Sequence, residues 1–192
     1  MATSIVNNGC VYFHDHSLGQ YKSLSQFYYC TFTEEIDKKD DDGQVVSVEV
    51  EFNCAEQYMM YWKARVMGDE ETAERILDND YDPYAVKRMG RSVYPFDLAK
   101  WERYREKIVA RGNFLKFGQN KDLLEILLGT RDLTLAEASN TDRLWGIGIT
   151  VQKAARGLPW KGDNLLGKAL GVARTALASG NGSEVKRITI EE

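Results

Sequence analysis

An acid and an amine, Glu56 and Lys63, stand seven positions apart in Val50-Glu-Phe-Asn-Cys-Ala-Glu-Gln-Tyr-Met-Met-Tyr-Trp-Lys-Ala-Arg65. A helix that starts after Asn53 puts both on nearly one face, about two turns or roughly 10 Å apart. Tyr58, Met59, Trp62 and Val66 form a core-facing stripe beside them. A carboxyl bordered by Met and Trp is poorly solvated, so its charged form is disfavoured and it holds a proton near neutral pH. That is the property of a general acid. The same residues also have plain structural readings. Asn53-x-x-Glu56 is a capping-box pattern, and a lone lysine on such a helix commonly snorkels to the surface.

A second constellation lies in Glu137-Ala-Ser-Asn-Thr-Asp-Arg-Leu-Trp-Gly-Ile-Gly148. Glu137 and Asp142 flank a polar turn, Trp145 stands next to them, and Gly146 and Gly148 let a ligand approach the backbone. An Asx-turn at Asn140 or Asp142, with Trp145 as a core anchor, explains the same residues. Gly-x-Gly alone is too short for a dinucleotide fingerprint. Downstream, Trp160 adds another aromatic and Asn164 caps a helix. The free N–H groups and dipole of that helix start suit an anion such as phosphate. Gly167 and Gly171 permit close packing of the same helix.

The elements that must position these residues read as follows. Val11–Phe13 and Phe27–Phe32 are aromatic and β-branched enough for strands, with a shaped loop over 18–27 between them. A charged turn from Asp37 to Gly43 precedes an alternating, half-buried strand through Val46, Val48, Val50 and Phe52, antiparallel to the one before. Asp69 caps a helix running to about Leu77. Asp82-Pro83 opens another that stops at Gly90. Asp97 caps a longer one closed by Gly112, and Asn120 begins one ended by Gly129. Leu133–Glu137 alternates as a short strand, and residues 138–162 read as an aromatic, glycine-punctuated loop of the kind that carries sites. The last helix reaches about Leu177. The domain is read as residues 1–178, with 179–192 a mobile tail.

The 192 residues suit one domain with a real core. Neither a membrane-length apolar run nor a leader pattern is visible, so a cytoplasmic or nuclear protein is expected. Cys10, Cys30 and Cys54 are too few and too widely spaced for a disulfide framework or a CxxC metal site. His14 and His16 are a weak metal signal without a matching cluster, so no metal or cofactor is expected. The net charge of −4 argues against tracking a long nucleic-acid backbone; any such contact is local.

Taken together, Ser23-Leu-Ser-Gln-Phe27, Phe52-Asn-Cys-Ala-Glu-Gln-Tyr58 with Lys63-Ala, Gly90-Arg, Lys116-Phe, Leu135-Ala-Glu-Ala-Ser139, Asp142-x-x-Trp-Gly-Ile-Gly148 and Trp160-x-Gly-x-Asn-x-x-Gly167 resemble the NADAR superfamily, also called YbiA-like. The likeness spans roughly residues 11 to 175 in the family's motif order. One departure is Gln26, where the family often has Asn. The resemblance implies a single, mainly helical α+β domain with a small antiparallel sheet, and N-glycosidase activity on a ribose C1–N bond. Some members act on phosphorylated riboflavin-biosynthesis intermediates, whereas others remove ADP-ribose from guanine in nucleic acid.

By motif, the family's acidic and tryptophan positions fall on Glu56, Trp101, Asp142 and Trp145, with Lys63 and Glu137 as further candidates. Ser25, Gly146, Gly148, Trp160 and Asn164 complete the expected binding set. Asp142 then stabilises oxocarbenium character and Glu56 protonates the leaving base. Trp145 or Trp101 stacks on a planar base. Lys63 offers an alternative route through a Schiff base. The expected partner is ADP-ribose or ADP-ribosylated guanine, held locally by a chain favoured as a monomer; a non-catalytic ADP-ribose reader is the competing expectation.

Overall fold

The computed structural model describes residues 3–40 and 42–190. Strands β1 (Ser4–Asn7) and β2 (Cys10–Phe13) form an antiparallel hairpin. Its tight turn places both Asn8 and Gly9 at positive φ, the geometry that an Asn-Gly pair favours. Strand β3 (Phe32–Lys39) pairs antiparallel with β4 (Val45–Phe52), Phe32 opposite Phe52. Strand β5 (Thr134–Glu137) joins β2 in parallel, so the three-stranded sheet is mixed rather than purely antiparallel. Seven helices make up most of the rest: α1 (Ala55–Met67), α2 (Glu70–Leu77), α3 (Pro83–Arg91), α4 (Leu98–Gly118), α5 (Lys121–Gly129), α6 (Val151–Ala155) and α7 (Leu165–Ser179). The architecture is the expected mainly helical α+β fold. Among the described residues no helix is long and apolar enough to cross a membrane.

Helix α1 is the axis. It is buried nearly all round, as a helix packed by α2, α3 and α4 must be. Phe52 at the end of β4 brings the chain into this core, its ring edge-on to Tyr58 at 5.0 Å and to Tyr61 at 5.4 Å. Burying each such side chain is worth about 1.5–3 kcal/mol. Below them Glu34 accepts from the Tyr58 hydroxyl and from Arg111 Nε, both at 2.8 Å, so the buried carboxylate is paired and hydrogen-bonded.

Several boundaries differ from the sequence expectation. Asp69, Asp82 and Asp97 cap their helices with the side chain, as their position ahead of the apolar spacing indicates. Helix α4, however, runs six residues past Gly112 to Gly118. Gly112 is a packing residue there: a Cβ would lie 2.6 Å from the Tyr58 ring. The strand expected over Phe27–Phe32 begins only at Phe32. Before it, side chains take the backbone: Ser25 Oγ accepts from the Phe27 N–H at 3.2 Å, and the Tyr81 hydroxyl donates to the Phe27 carbonyl.

In β4 only Val50 and Phe52 are buried; Val45, Val46 and Val48 are exposed on the outer half of the β3–β4 ribbon. The stretch expected to be irregular after residue 138 contains α6, capped by Thr150. After α7, Val185 is buried and Ile188 and Ile190 pack against the core, while Arg187 pairs with Glu35 at 2.9 Å. Asp41 of the charged turn and the final two residues of the expected tail lie outside the described residues.

Candidate functional site

Helices α1 and α3, the loop before β3 and the turn after β5 enclose a hollow of ≈ 830 Å³. The structure brings Glu56, Lys63, Trp101, Glu137, Asp142, Trp145 and Ser25 together on its walls. It places Trp160, Asn164, Gly146 and Gly148 elsewhere.

Glu56 owes its position to a helix start that differs from the capping-box reading. The N-cap is Cys54 and makes no side-chain cap. Asn53 turns away, its Nδ2 donating to the Asn79 carbonyl at 3.2 Å. The side chain that returns to the backbone is Gln57, whose Oε1 accepts from the Asn53 N–H at 2.8 Å while its Nε2 donates to the Ile76 carbonyl at 2.9 Å. With Gln57 in that role, Glu56 is released from it. Glu56 is 2% exposed, and its Oε1 has no hydrogen-bond partner among the described residues. Burial is the largest influence on its carboxyl and pushes the pKa up to about 7; the cations Lys87, Arg91 and Lys63 oppose this and the charge of Asp142 adds to it.

Glu137 closes β5 and is raised to about 7 as well, again first by burial, then by the charge of Asp142. Glu137 is half-buried and lines the hollow. The charge of Glu56 adds a smaller upward push on Glu137.

Asp142 adopts the Asx-turn that the sequence allows: Oδ1 accepts from the N–H groups of Leu144 at 2.9 Å and Trp145 at 2.8 Å. The turn and the site coincide, because the Asx-turn fixes Asp142 on the cavity wall. The glycines serve the same end. Gly148 N–H donates to the Asp142 carbonyl at 3.1 Å, and a Cβ on Gly146 would meet the Glu137 and Asp142 carbonyls at 2.9 and 3.0 Å. These glycines draw the two acids together without lining the hollow.

Lys63 is no surface lysine. Its Nζ donates to the Gly90 carbonyl at 2.6 Å and lies 4.6 Å from the Phe96 ring centroid and 5.8 Å from that of Trp101. Burial first, and then Arg91, lower its pKa, while Glu56 raises it. Gln26 lines the hollow with its amide oxygen held by Asn113 Nδ2 at 2.9 Å. The backbone of Ser25 beside it is held by the fully buried Lys116, whose Nζ donates to the Ser25 carbonyl at 2.8 Å.

The helix start at Asn164 is closed to an anion, contrary to the sequence reading. Asn164 sits at φ 55 with its side chain turned inward, Nδ2 donating to the Leu135 carbonyl at 2.8 Å and Oδ1 accepting from the Glu137 N–H at 3.2 Å. The N–H groups of Leu165 and Leu166 are taken by the carbonyls of Leu144 and Trp145, each at 3.1 Å. Trp160 is 39% exposed and stands edge-on to Tyr12 at 6.4 Å, outside the hollow.

Other wall residues were missed by sequence reasoning: Phe27, Tyr84 and His16, which meet edge-to-face, and the cations Lys87, Arg88 and Arg91 of α3. The Gly90-Arg pair was the available signal for Arg91, and the Ser23–Phe27 motif for Phe27. Among the described residues no group of three or more His, Cys, Asp and Glu side chains is placed to hold a metal ion. The three cysteines are free and buried.

The chain matches the NADAR domain over residues 12–178. It is 43% identical over 123 residues to an N-glycosidase of Acanthamoeba polyphaga mimivirus, covering 62% of this chain and 71% of that protein. With the protein irg-1 of Caenorhabditis elegans it shares 38% identity over 132 residues, spanning 67% of this chain and 62% of that one. N-glycosidase YbiA of Escherichia coli (strain K12) is 31% identical over 118 residues, 62% of this chain and 68% of that protein. The NMR structure of E. coli YbiA superposes with a TM-score of 0.66 at 23% identity, covering 99% of this chain and 95% of the other, and so shares the fold.

Proposed function

This chain belongs to the NADAR domain family, and we propose that it removes ADP-ribose from guanine in nucleic acid by hydrolysing the ribose C1–N bond. The reaction class, hydrolysis of an N-glycosidic bond, is that of its named relatives in mimivirus and E. coli. The observation that carries the reading is one cavity joining a proton-holding acid to tryptophans and cations. Its ≈ 830 Å³ stands near the top of the roughly 300–1,000 Å³ typical of ligand pockets, room enough for a dinucleotide-sized group.

In this reading Glu56 gives its proton to the departing base nitrogen, so that guanine leaves neutral. Bond breaking builds positive charge on the ribose, and the negative charge of Asp142, fixed by its turn, stabilises it. Glu137, as the carboxylate, receives the proton of the attacking water whose oxygen bonds to ribose C1. Trp101 or Trp145 stacks on the planar base.

Mass spectrometry after incubation with an oligonucleotide carrying ADP-ribosylated guanine tests this. Free ADP-ribose and the unmodified strand are the expected products. ADP-ribose binding without turnover would make the chain a reader. Turnover of phosphorylated riboflavin-biosynthesis intermediates alone would transfer the site to that substrate.

A further inference from the structure

We propose that the cavity face of α3 is a diphosphate site, formed by Lys87, Arg88 and Arg91; this rests on the reading that the substrate carries ADP-ribose. Helix α3 is fixed by its own cap, Asp82 Oδ1 accepting from the N–H groups of Tyr84 at 3.0 Å and Ala85 at 2.9 Å. It docks through Val86, 1% exposed, and through Gly90, which lies against Met60 of α1. That docking leaves Lys87 and Arg91, four residues apart on one face, with Arg88 alongside, on the wall of the hollow. Their backbone positions span only about 6 Å along the helix.

Five cations elsewhere, Lys38, Arg65, Arg105, Arg111 and Arg187, are ion-paired. Among the described residues Lys87, Arg88 and Arg91 have no such partner, although the same cavity holds Glu56, Glu137 and Asp142. The hollow carries acids on α1, at the end of β5 and on the turn after it, with Lys63 of α1 beside them, and faces them with three cations gathered on α3. A cluster of three without a hydrogen-bonded carboxylate, two of them guanidiniums whose planar fork matches phosphate oxygens, suits an anion of more than one charge. Arg88 and Arg91 also complement the dipole at the end of α3, which accounts for helix stability but not for Lys87 or the shared cavity face. The other anion site suggested by the sequence, the start of α7, is occupied by backbone carbonyls.

Calorimetric titration of inorganic pyrophosphate into wild type and the double variant Lys87→Gln/Arg91→Gln tests the assignment, with Arg88→Gln as a single change that leaves the other two cations in place. Wild type should bind, and the double variant, still cooperatively folded, should bind at least about tenfold more weakly. Arg88→Gln should lose a smaller factor. Equal binding by wild type and both variants, or no binding by wild type, overturns the site. A parallel titration with ADP-ribose separates the two claims. Loss in step with pyrophosphate supports both, whereas pyrophosphate binding without ADP-ribose binding keeps the anion site and removes ADP-ribose as the ligand.

Discussion

Glu56 differs from its neighbour Gln57 in having no backbone to serve, and this makes its substitution informative. Glu56→Gln retains shape and helix start, because Gln57 and not Glu56 closes onto Asn53. Its amide cannot give a proton, so turnover should fall at least about a hundredfold while ADP-ribose affinity stays near wild type. Near-normal turnover would return Glu56 to a packing role.

The pH dependence has a fixed sign. A carboxyl raised from 4.5 to about 7 holds its proton more tightly folded than unfolded. Its stabilisation is complete below about pH 4.5 and is lost as pH climbs through about 7. Glu137 is raised in the same window. Wild-type melting temperature should therefore decline between about pH 5 and pH 8, with a flatter profile in Glu56→Gln. The value of kcat/KM should fall as pH rises through about 7, where the general acid loses its proton. At Lys63, the amine is tied to the Gly90 carbonyl and set against the Phe96 and Trp101 faces. Borohydride added during turnover should leave it unmodified; a reduced sugar adduct there would establish the Schiff-base route.

At the scale of elements, two glycines of α7 make opposite predictions. A Cβ on Gly167 would lie 2.0 Å from the Leu135 carbonyl, backbone that cannot retreat without releasing β5 and Glu137. Nothing stands within 4 Å of a Cβ on Gly171, so the expected close-packing role falls to Gly167 alone. Thermal unfolding should show Gly171→Ala stabilised by about 0.5–1 kcal/mol and Gly167→Ala destabilised by about 1–3 kcal/mol or more.

The same contrast separates what was legible in the sequence from what was not. Caps at Asp69, Asp82 and Asp97 are local signals and marked their helices correctly. Gly112 reads as a stop only until Tyr58 arrives from another helix, and Asn164 reads as an open cap until β5 supplies partners for its side chain. The parallel pairing of β2 with β5 joins segments more than a hundred residues apart, with no local trace. Glu56, Lys63, Glu137 and Asp142 were visible because acids and an amine among aromatics and glycines are chemically unusual. Lys87, Arg88 and Arg91 were not, because three cations on a short amphipathic helix look like any solvated face until the helix is docked.

For the whole molecule, a net charge of −4 with three cations gathered on one cavity wall describes a protein that grips a small anionic group and not a strand. Affinity for ADP-ribosylated guanosine should be nearly that for a modified oligonucleotide, with a salt slope no steeper than the contact of about three cations. A slope equivalent to many phosphates would mean an extended nucleic-acid surface elsewhere. The central claim concerns which sugar–base bond this cavity was built around, and it is tested most directly by kcat/KM for ADP-ribosylated guanine and for phosphorylated riboflavin-biosynthesis intermediates, measured side by side on the wild-type chain. ADP-ribosylated guanine should be preferred by orders of magnitude; an equal or reversed preference would contradict the proposed substrate.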